Sequence, residues 1–460
     1  MIARIRHIHF TGIGGIGMSG IAEVLRNQGF SVQGSDVAEG ANVTRLRQLG
    51  IPVAIGHDAE NLGEAQVVVV SSAVAKDNPE VVAAHLRGIP VIPRAEMLAE
   101  LMRMKQGIAI AGSHGKTTIT SLIAHGMEAA ALDPTYVIGG RLVASGNNAK
   151  LGGSPWLVAE ADESDGSFLR LTPMLAVVSN IDPEHLEHYG SFEQLLEAFR
   201  QFVSNVPFYG RVVLHHEHPH VAAMRIGLHR PITTYGSSPQ ADIHLRSRRC
   251  DSGGQVIHVG TASGEDLGEF RLAIPGLHNA ENALAVIAVL RDIGIGTDVI
   301  REGLSSFGGI QRRFQRTAID PGILVDDYAH HPKEIEATLA TARECWPERT
   351  VTVIFQPHRY TRTRDLMDDF LGAFDLAHHV VLLPVYAASE QPIAGISAEA
   401  LRDGMIARGH RSVQSCADLD AARALATEAL AQGHMVMLMG AGSIGGLATE
   451  MRRQAAGGHA

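Results

Sequence analysis

Short runs of valine, isoleucine and leucine alternate along the chain with stretches whose apolar residues recur every three or four positions. The first pattern suits strands buried on both faces of a parallel sheet and the second suits helices that cover it, so the fold class predicted is α/β. His7–Thr11 reads as a strand, followed by GIGGIG and a helix with Met18, Ile21, Val24 and Leu25 on one face. Ser31–Asp36 and Val67–Val70 continue this first system. A second system opens with a strand at 108–111, which runs into GSHGKTT and a helix carrying Ile119, Leu122, Ile123 and Met127 inward; strands at 156–161 and 174–181 extend it. The polar, glycine-rich stretch 211–270 predicts short strands or hairpins beside that sheet. A third system follows RRFQ, with strands at 322–326, 351–356, 380–385 and Met435–Met439, the last leading into GAGSIG.

A chain of 460 residues exceeds the roughly 250 to 300 at which a single core stops growing. The three systems therefore predict three domains, 1–106, 107–312 and 313–460. The sequence contains no run of about 18 apolar residues, which predicts no membrane insertion. The N-terminal MIARIRHIHF enters a strand without a signal-type apolar region, which makes the expected location cytoplasmic. A formal charge of −10 offers no basic footprint for nucleic acid. Cys250, Cys345 and Cys416 are far apart and form no CxxC pair, so neither a disulfide framework nor a thiolate zinc site is expected. Most of the 24 histidines, such as His215 and His216, read as solvated surface.

Chemistry concentrates in a few motifs. Gly12, Gly14 and Gly17 form GxGxxG between a strand and a helix, a turn that brings a pyrophosphate to backbone amides, and Asp36 ends the next strand where a carboxylate accepts from a ribose. Taken alone this suggests NAD, but Gly440, Gly442 and Gly445 repeat the spacing, which any Rossmann-like turn shares. GSHGKTT, residues 112–118, has the parts of a triphosphate loop: amides that form an anion nest, Lys116 to reach the β- and γ-phosphates, and the Thr117 hydroxyl for Mg²⁺. It departs from GxxxxGK[ST] in having Ile110 where the first glycine would stand. Glu160 ends a buried-type strand before the acidic Asp162, Glu163 and Asp165, and a hard cation prefers such oxygens; a solvated acidic loop is the plainer reading. His185 in NIDPEH, the set His278, Asn279 and Asn282 at the start of a helix 283–290, Arg313 and Asp327 are weak signals singly. Arg359 and Arg362 in QPHRYTRT suit a carboxylate or phosphate.

In order along the chain, GIGGIGMSGIAEVL, AGSHGKTT, AEADESDGSF, NIDPEHLEHYGSFEQL, GLHNAENALA, RRFQ, DDYAHHPKEI and QPHRYTRT resemble the Mur ligases of peptidoglycan synthesis. The resemblance covers nearly the whole chain and implies a Rossmann-like N-terminal domain for a UDP-sugar, a P-loop-type central ATPase domain and a Rossmann-like C-terminal domain. The likeness is closest to the branch that joins L-alanine to UDP-N-acetylmuramate through an acyl phosphate, as a monomer or homodimer using ATP and Mg²⁺. It implies catalytic roles for Lys116, Glu160, His185 and Arg313, with magnesium at Thr117, Glu160 and His185. ATP would be held by Gly112, Ser113, His114, Gly115, Lys116, Thr117, Thr118, His278, Asn279, Asn282, Arg313 and Asp327. The UDP-sugar would meet Gly12, Gly14, Gly15, Gly17, Asp36, Ser71 and Ser164, and the amino acid Tyr328, His330, Arg359 and Arg362. Sister ligases that add later residues carry a lysine downstream of the NID-type histidine, which becomes carbamylated; here no lysine occurs between Lys150 and Lys333, as expected of the alanine-adding branch. Three alternatives stay open on the residues: a murein-recycling ligase, an NAD-linked oxidoreductase and a non-catalytic nucleotide-sugar sensor.

Overall fold

A tetrapeptide such as VVVV has no polar face to offer water and must be covered on both sides. The computed structural model, which describes residues 5–71, 73–140, 143, 148–251, 253–388 and 390–457, places Val67–Val70 between the parallel strands His7–Thr11 and Val91–Pro93. Ser31–Asp36 and Val53–Ile55 complete this five-stranded sheet on the other side of His7–Thr11. The helix Ile16–Asn27 buries Met18, Ile21, Val24 and Leu25. Chain direction across the sheet reverses between His7–Thr11 and Val67–Val70, and such a switch opens a crevice at the carboxyl ends of the strands. The glycine turn after Thr11 and Ser71 after Val70 both lie at that crevice.

A ten-stranded sheet follows, in the order Asp266–Leu272, Gly254–Thr261, Ile243–Asp251, Ile232–Gly236, Arg211–His215, Leu175–Val178, Gln106–Ala111, Trp156–Glu160, Thr135–Val137, Ala149–Lys150. The stretch expected as short strands or hairpins beside the sheet does form strands, and they belong to the sheet itself. Polar sequence there reflects alternating exposure, as in the burial of Asp266–Leu272 on every second or third residue. The strand expected over 174–181 is only Leu175–Val178, because Ser179–Asp182 turns away to brace the neighbouring phosphate loop. The helix expected from Ala283 starts at Leu277 and ends at Asp292, so His278, Asn279 and Asn282 lie within it. Asn279 Nδ2 donates to the Pro275 carbonyl at 2.7 Å, which spends its side chain locally instead of breaking the helix.

The C-terminal sheet runs Gln315–Ile319, Gly322–Asp327, Met435–Met439, Val351–Phe355, His379–Leu382, Val413–Ser415, parallel except for the first strand. The whole chain resolves into two compact units, Met1–Ser247 with Ile257–Arg271 and Glu281–Phe307, and Arg248–Val256 with Leu272–Ala280 and Gly308–Ala460. Within the second unit Cys250 and Cys345 are joined by a disulfide across 95 residues, against the expectation of unpaired cysteines. Spacing carried no sign of it, since a strand end and a helix end meet there only in the fold; Arg248 pairs beside it with Glu344 at 2.7 Å. Cys416 is free. Among the described residues no helix is long and apolar enough to cross a membrane.

Glu80 locks the crevice end of the first sheet. Its fully buried carboxylate accepts from Thr11 Oγ1 and Ser35 Oγ at 2.7 Å each, from Asn61 Nδ2 at 2.7 Å, and lies 2.9 Å from His9 Nε2. Burial alone would raise its pKa, but these partners hold it at about 2. An unfolded glutamate binds its proton near 4.5, so the carboxylate stabilises the fold above that pH and ceases to as pH falls from 4.5 to 2, a span worth about 3 kcal/mol. Glu80→Gln is expected to lower the melting temperature at pH 7 and to flatten the loss of stability between pH 4.5 and 2 seen in the unchanged protein by calorimetry.

Candidate active site

The strand Gln106–Ala111 lies between Leu175–Val178 and Trp156–Glu160, all parallel, so the loops at their carboxyl ends converge. Residues 112–115 make the turn into the helix Lys116–Ala129. Gly112 has φ +133, and a Cβ there would sit 2.1 Å from Ser179 Oγ, so no other residue fits without moving the neighbouring strand end. That strand end holds the turn from outside: His114 N–H donates to Asn180 Oδ1 at 2.7 Å, Asp182 N–H to Ser113 Oγ at 2.8 Å, and Ser179 Oγ to the His114 carbonyl at 2.6 Å. Thr117 is half-buried and Thr118 buried in the first helical turn. Asn282 Oδ1 comes within 2.6 Å of where a Cβ on Gly115 would stand, which puts Asn282 against the loop. His278 and Asn279, one turn earlier on the same helix, belong to the second unit.

Lys116 Nζ bonds both oxygens of Glu163 at 2.8 Å and also donates to the Gly112 and Ser113 carbonyls. Burial alone would depress its pKa; Glu163, Asp162 and Glu184 hold it above the ordinary lysine value. Glu160 ends its strand directly beside Ile110 and accepts from the Gly139 amide at 2.7 Å. His185 lies beyond the strand on the other side, in a left-handed conformation with φ 56 and ψ 30, a strained backbone for a non-glycine residue. Lys116 and Thr117 in the first helical turn, Glu160 at its strand end and His185 beyond the neighbouring strand therefore all lie towards the carboxyl ends of this sheet's strands. His114 Nε2 faces Asp182 and Glu184 at 3.5 and 3.3 Å.

At the first sheet's crevice Gly14 N–H donates to Asp36 Oδ2 at 2.8 Å, and Asn42 Nδ2 donates to the Gly14 carbonyl at 2.7 Å. Asp36 thus braces the glycine turn itself. Ser71 Cβ is 3.4 Å from where a Cβ on Gly12 would stand, and Gly15 caps the helix Ile16–Asn27. Ser164 donates its amide to Asp162 Oδ1 at 3.1 Å. Sequence reasoning missed Arg94, which donates to Asp162 Oδ2 at 3.1 Å; its signal is a cation placed just beyond the strand Val91–Pro93, at the sheet's functional edge. The C-terminal repeat of the glycine spacing does a different job. Gln356 Oε1 accepts from the Ile444 amide at 3.0 Å and Arg312 donates to the Gly440 carbonyl, so the protein's own side chains fill that turn.

In the second unit Asp327 is buried and accepts from the Phe314 and Ala329 amides at 2.7 Å each. Burial pushes its pKa up to about 6 in spite of these amides and Arg313. Arg312 and Arg313 lie 4.9 and 5.4 Å from the centre of the Tyr328 ring. Tyr328 and His330 are in edge contact at 5.2 Å, His330 faces His358 at 6.2 Å, and Arg362 Nη1 is 3.3 Å from His358 Nδ1. Arg359, with φ 70, caps the short helix Tyr360–Asp365, which carries Arg362. The structure thus gathers Tyr328, His330 and Arg362 and adds His358, which the sequence did not single out. Burial, with Arg362 beside it, brings His358 down to about 4; burial likewise lowers His330 to about 4, against the opposing pull of Glu334.

This is a multidomain α/β protein with a glycine-rich, lysine-bearing loop flanked by acidic and histidine side chains. Three family models match the chain: the Mur ligase family catalytic domain over residues 7–106, the Mur ligase middle domain over 110–290, and the Mur ligase glutamate ligase domain over 312–442. The chain belongs to the Mur ligase family, whose three-domain architecture it has. It is 51% identical over 444 residues to a UDP-N-acetylmuramate–L-alanine ligase of Chelativorans sp., covering 95% of each chain. It is also 51% identical over 450 residues to the ligase of that name from Rhodospirillum centenum, covering 96% of this chain and 93% of that one. Among solved structures, a UDP-N-acetylmuramate-alanine ligase from Thermotoga maritima superposes with a TM-score of 0.84 at 30% identity, over 99% of this chain and 100% of that one. A murein peptide ligase from Psychrobacter arcticus shares the fold, with a TM-score of 0.72 at 24% identity, over 98% of this chain and 99% of that one.

Two outcomes follow from the electrostatics. Glu163→Gln removes the internal anion that competes for Lys116, and calorimetry is expected to read ATP binding tighter by about tenfold, equivalent to roughly 1.4 kcal/mol. Because unfolded imidazoles bind protons near 6.5 and those of His330 and His358 do so at about 4, their contribution to stability is complete above pH 6.5 and is lost as pH falls from 6.5 to 4. Carbon NMR of labelled histidine should show both rings neutral at pH 5.5.

Proposed function

We propose that the chain joins L-alanine to the carboxylate of UDP-N-acetylmuramate, with ATP converted to ADP and phosphate, in the synthesis of peptidoglycan precursors. Identity of 51% across 95% of the chain to a ligase of that name is the observation that carries this reading. The Lys116 loop supports it independently.

A carboxylate is a poor acyl donor because oxide would have to leave. Transfer of the γ-phosphoryl group to a carboxylate oxygen gives an acyl phosphate and ADP. The free amine of alanine then attacks the acyl carbon, phosphate leaves with the electron pair of the broken C–O bond, and the nitrogen loses a proton to give the amide. The first step brings two anions together, so neutralising charge is the main burden. Lys116 and the turn amides bear on the phosphates, and Arg313 bears on the γ-phosphate. A Mg²⁺ ion suits the donor set of Thr117 hydroxyl, Glu160 carboxylate and His185, which is mainly hard oxygen and comes from a first helical turn, a strand end and a helix cap; when bound it would supply further neutralisation of the phosphate charge. Asn282 borders the adenine side of the loop, and Asp327 holds the ribose with the acceptor capacity its two amides leave. Tyr328, His330, Arg359 and Arg362 receive the amino acid, where the guanidinium of Arg362 pairs with the α-carboxylate. The domain limits proposed are 1–106, 107–312 and 313–460.

Phosphate release measured with UDP-N-acetylmuramate, MgATP and one amine at a time tests the reading. Release with L-alanine and none with a tripeptide is expected. The reverse preference assigns the chain to murein recycling, nucleotide binding without release assigns it to sensing, and a nicotinamide absorbance change without ATP assigns it to redox chemistry. Lys116→Ala is expected to lose at least about a hundredfold in kcat while binding UDP-N-acetylmuramate as before; unchanged turnover would remove Lys116 from the chemistry.

A further inference from the structure

Arg94 opens the helix Arg94–Arg103 directly after the strand Val91–Pro93. Its side chain lies across the start of the helix Ile16–Asn27: a Cβ on Gly17 would stand 2.8 Å from Nη1 and 3.2 Å from Cδ, so the glycine is what admits the guanidinium. On its other side Nη2 donates to Asp162 Oδ2 at 3.1 Å. Asp162 precedes Glu163, the residue that grips Lys116. One guanidinium therefore bridges from the amide-rich turn of the first sheet to the acidic loop beside the phosphate-loop lysine.

The bridge is open to exchange. The Arg94 side chain is 25% exposed and that of Asp162 42% exposed, and ion pairs with this much access to water contribute only about 0 to 1 kcal/mol. Asp162 shows that a carboxylate fits against this guanidinium, and paired N–H groups select carboxylates by shape as well as charge. A sugar acid with its diphosphate on the turn at residues 12–17 and its carboxylate directed to the phosphate loop would pass this point.

We propose that Arg94 binds the carboxylate of the sugar acid in exchange for Asp162, holding one oxygen and leaving the other to receive the phosphoryl group. The inference rests on the functional reading above and adds to it a residue that selects the acidic substrate. It predicts that the protein distinguishes UDP-N-acetylmuramate from UDP-N-acetylglucosamine, which lacks that carboxylate, largely through Arg94.

Calorimetric titration of the full chain with both nucleotide sugars and with ATP tests this, using Arg94→Ala, Arg94→Lys and Asp162→Asn. Arg94→Ala is expected to weaken UDP-N-acetylmuramate by about tenfold or more and leave UDP-N-acetylglucosamine and ATP within about twofold. Arg94→Lys should recover part of the loss, and Asp162→Asn should tighten UDP-N-acetylmuramate and leave UDP-N-acetylglucosamine unchanged by removing the competing carboxylate. Equal weakening of both sugars in Arg94→Ala places the contact at the diphosphate and overturns the proposal, as does no weakening of either. If Arg94→Ala fails to fold by circular dichroism, Asp162→Asn and Arg94→Lys decide: affinities unchanged in both overturn it. Failure of the unaltered protein to bind UDP-N-acetylmuramate would instead remove the functional reading, and this inference with it.

Discussion

The site depends on one mechanical constraint, the bracing of the turn at residues 112–115 by the strand end next to it. Four backbone positions without a side-chain grip would not keep their amides aimed at a common point. Ser179, Asn180 and Asp182 supply that grip through three hydrogen bonds of 2.6 to 2.8 Å. Gly112 is the geometric condition for it, since the bracing hydroxyl occupies the space of any Cβ. Parallel pairing on both sides of Gln106–Ala111 then brings Glu160 and the His185 loop to the same edge. Phosphoryl transfer, on the proposed reading, uses groups from loops that only the sheet brings together.

Two glycine turns with the same spacing meet different side chains. The turn after Thr11 is braced from behind by Asp36 and Asn42. The turn after Met439 is plugged by Gln356 and Arg312. A spacing pattern specifies the bend of the backbone and the nearness of a helix start; whether a ligand or a side chain fills the concavity depends on residues far away in the chain.

That difference marks what could be read from the sequence. The strands at Val67–Val70 and Met435–Met439 were legible because burial on both faces demands uninterrupted apolar residues. The phosphate loop was legible because its chemistry is contiguous. Gln315–Ile319 escaped notice, being a partly exposed edge strand with no apolar run. Cys250 and Cys345 could not be paired across 95 residues by spacing alone. Arg94 and Glu80 were missed for the same reason: each acts on partners remote in sequence, and nothing local announces them. Asp327 was noticed for its charge, yet in the fold its first task is to tie Phe314 and Ala329 in place.

The pairing of Lys116 with Glu163 bears on which anions the loop admits. A buried carboxylate, 2% exposed and touching the ammonium with both oxygens, is itself a strong resident ligand. A singly or doubly charged species such as chloride or sulfate gains little by evicting it, because one contact is traded for a similar one. A polyanion that engages the turn amides as well as the ammonium has the surplus to do so. The Lys116–Glu163 pair therefore sets a threshold of valency, and abundant small anions in the surrounding solution fall below it.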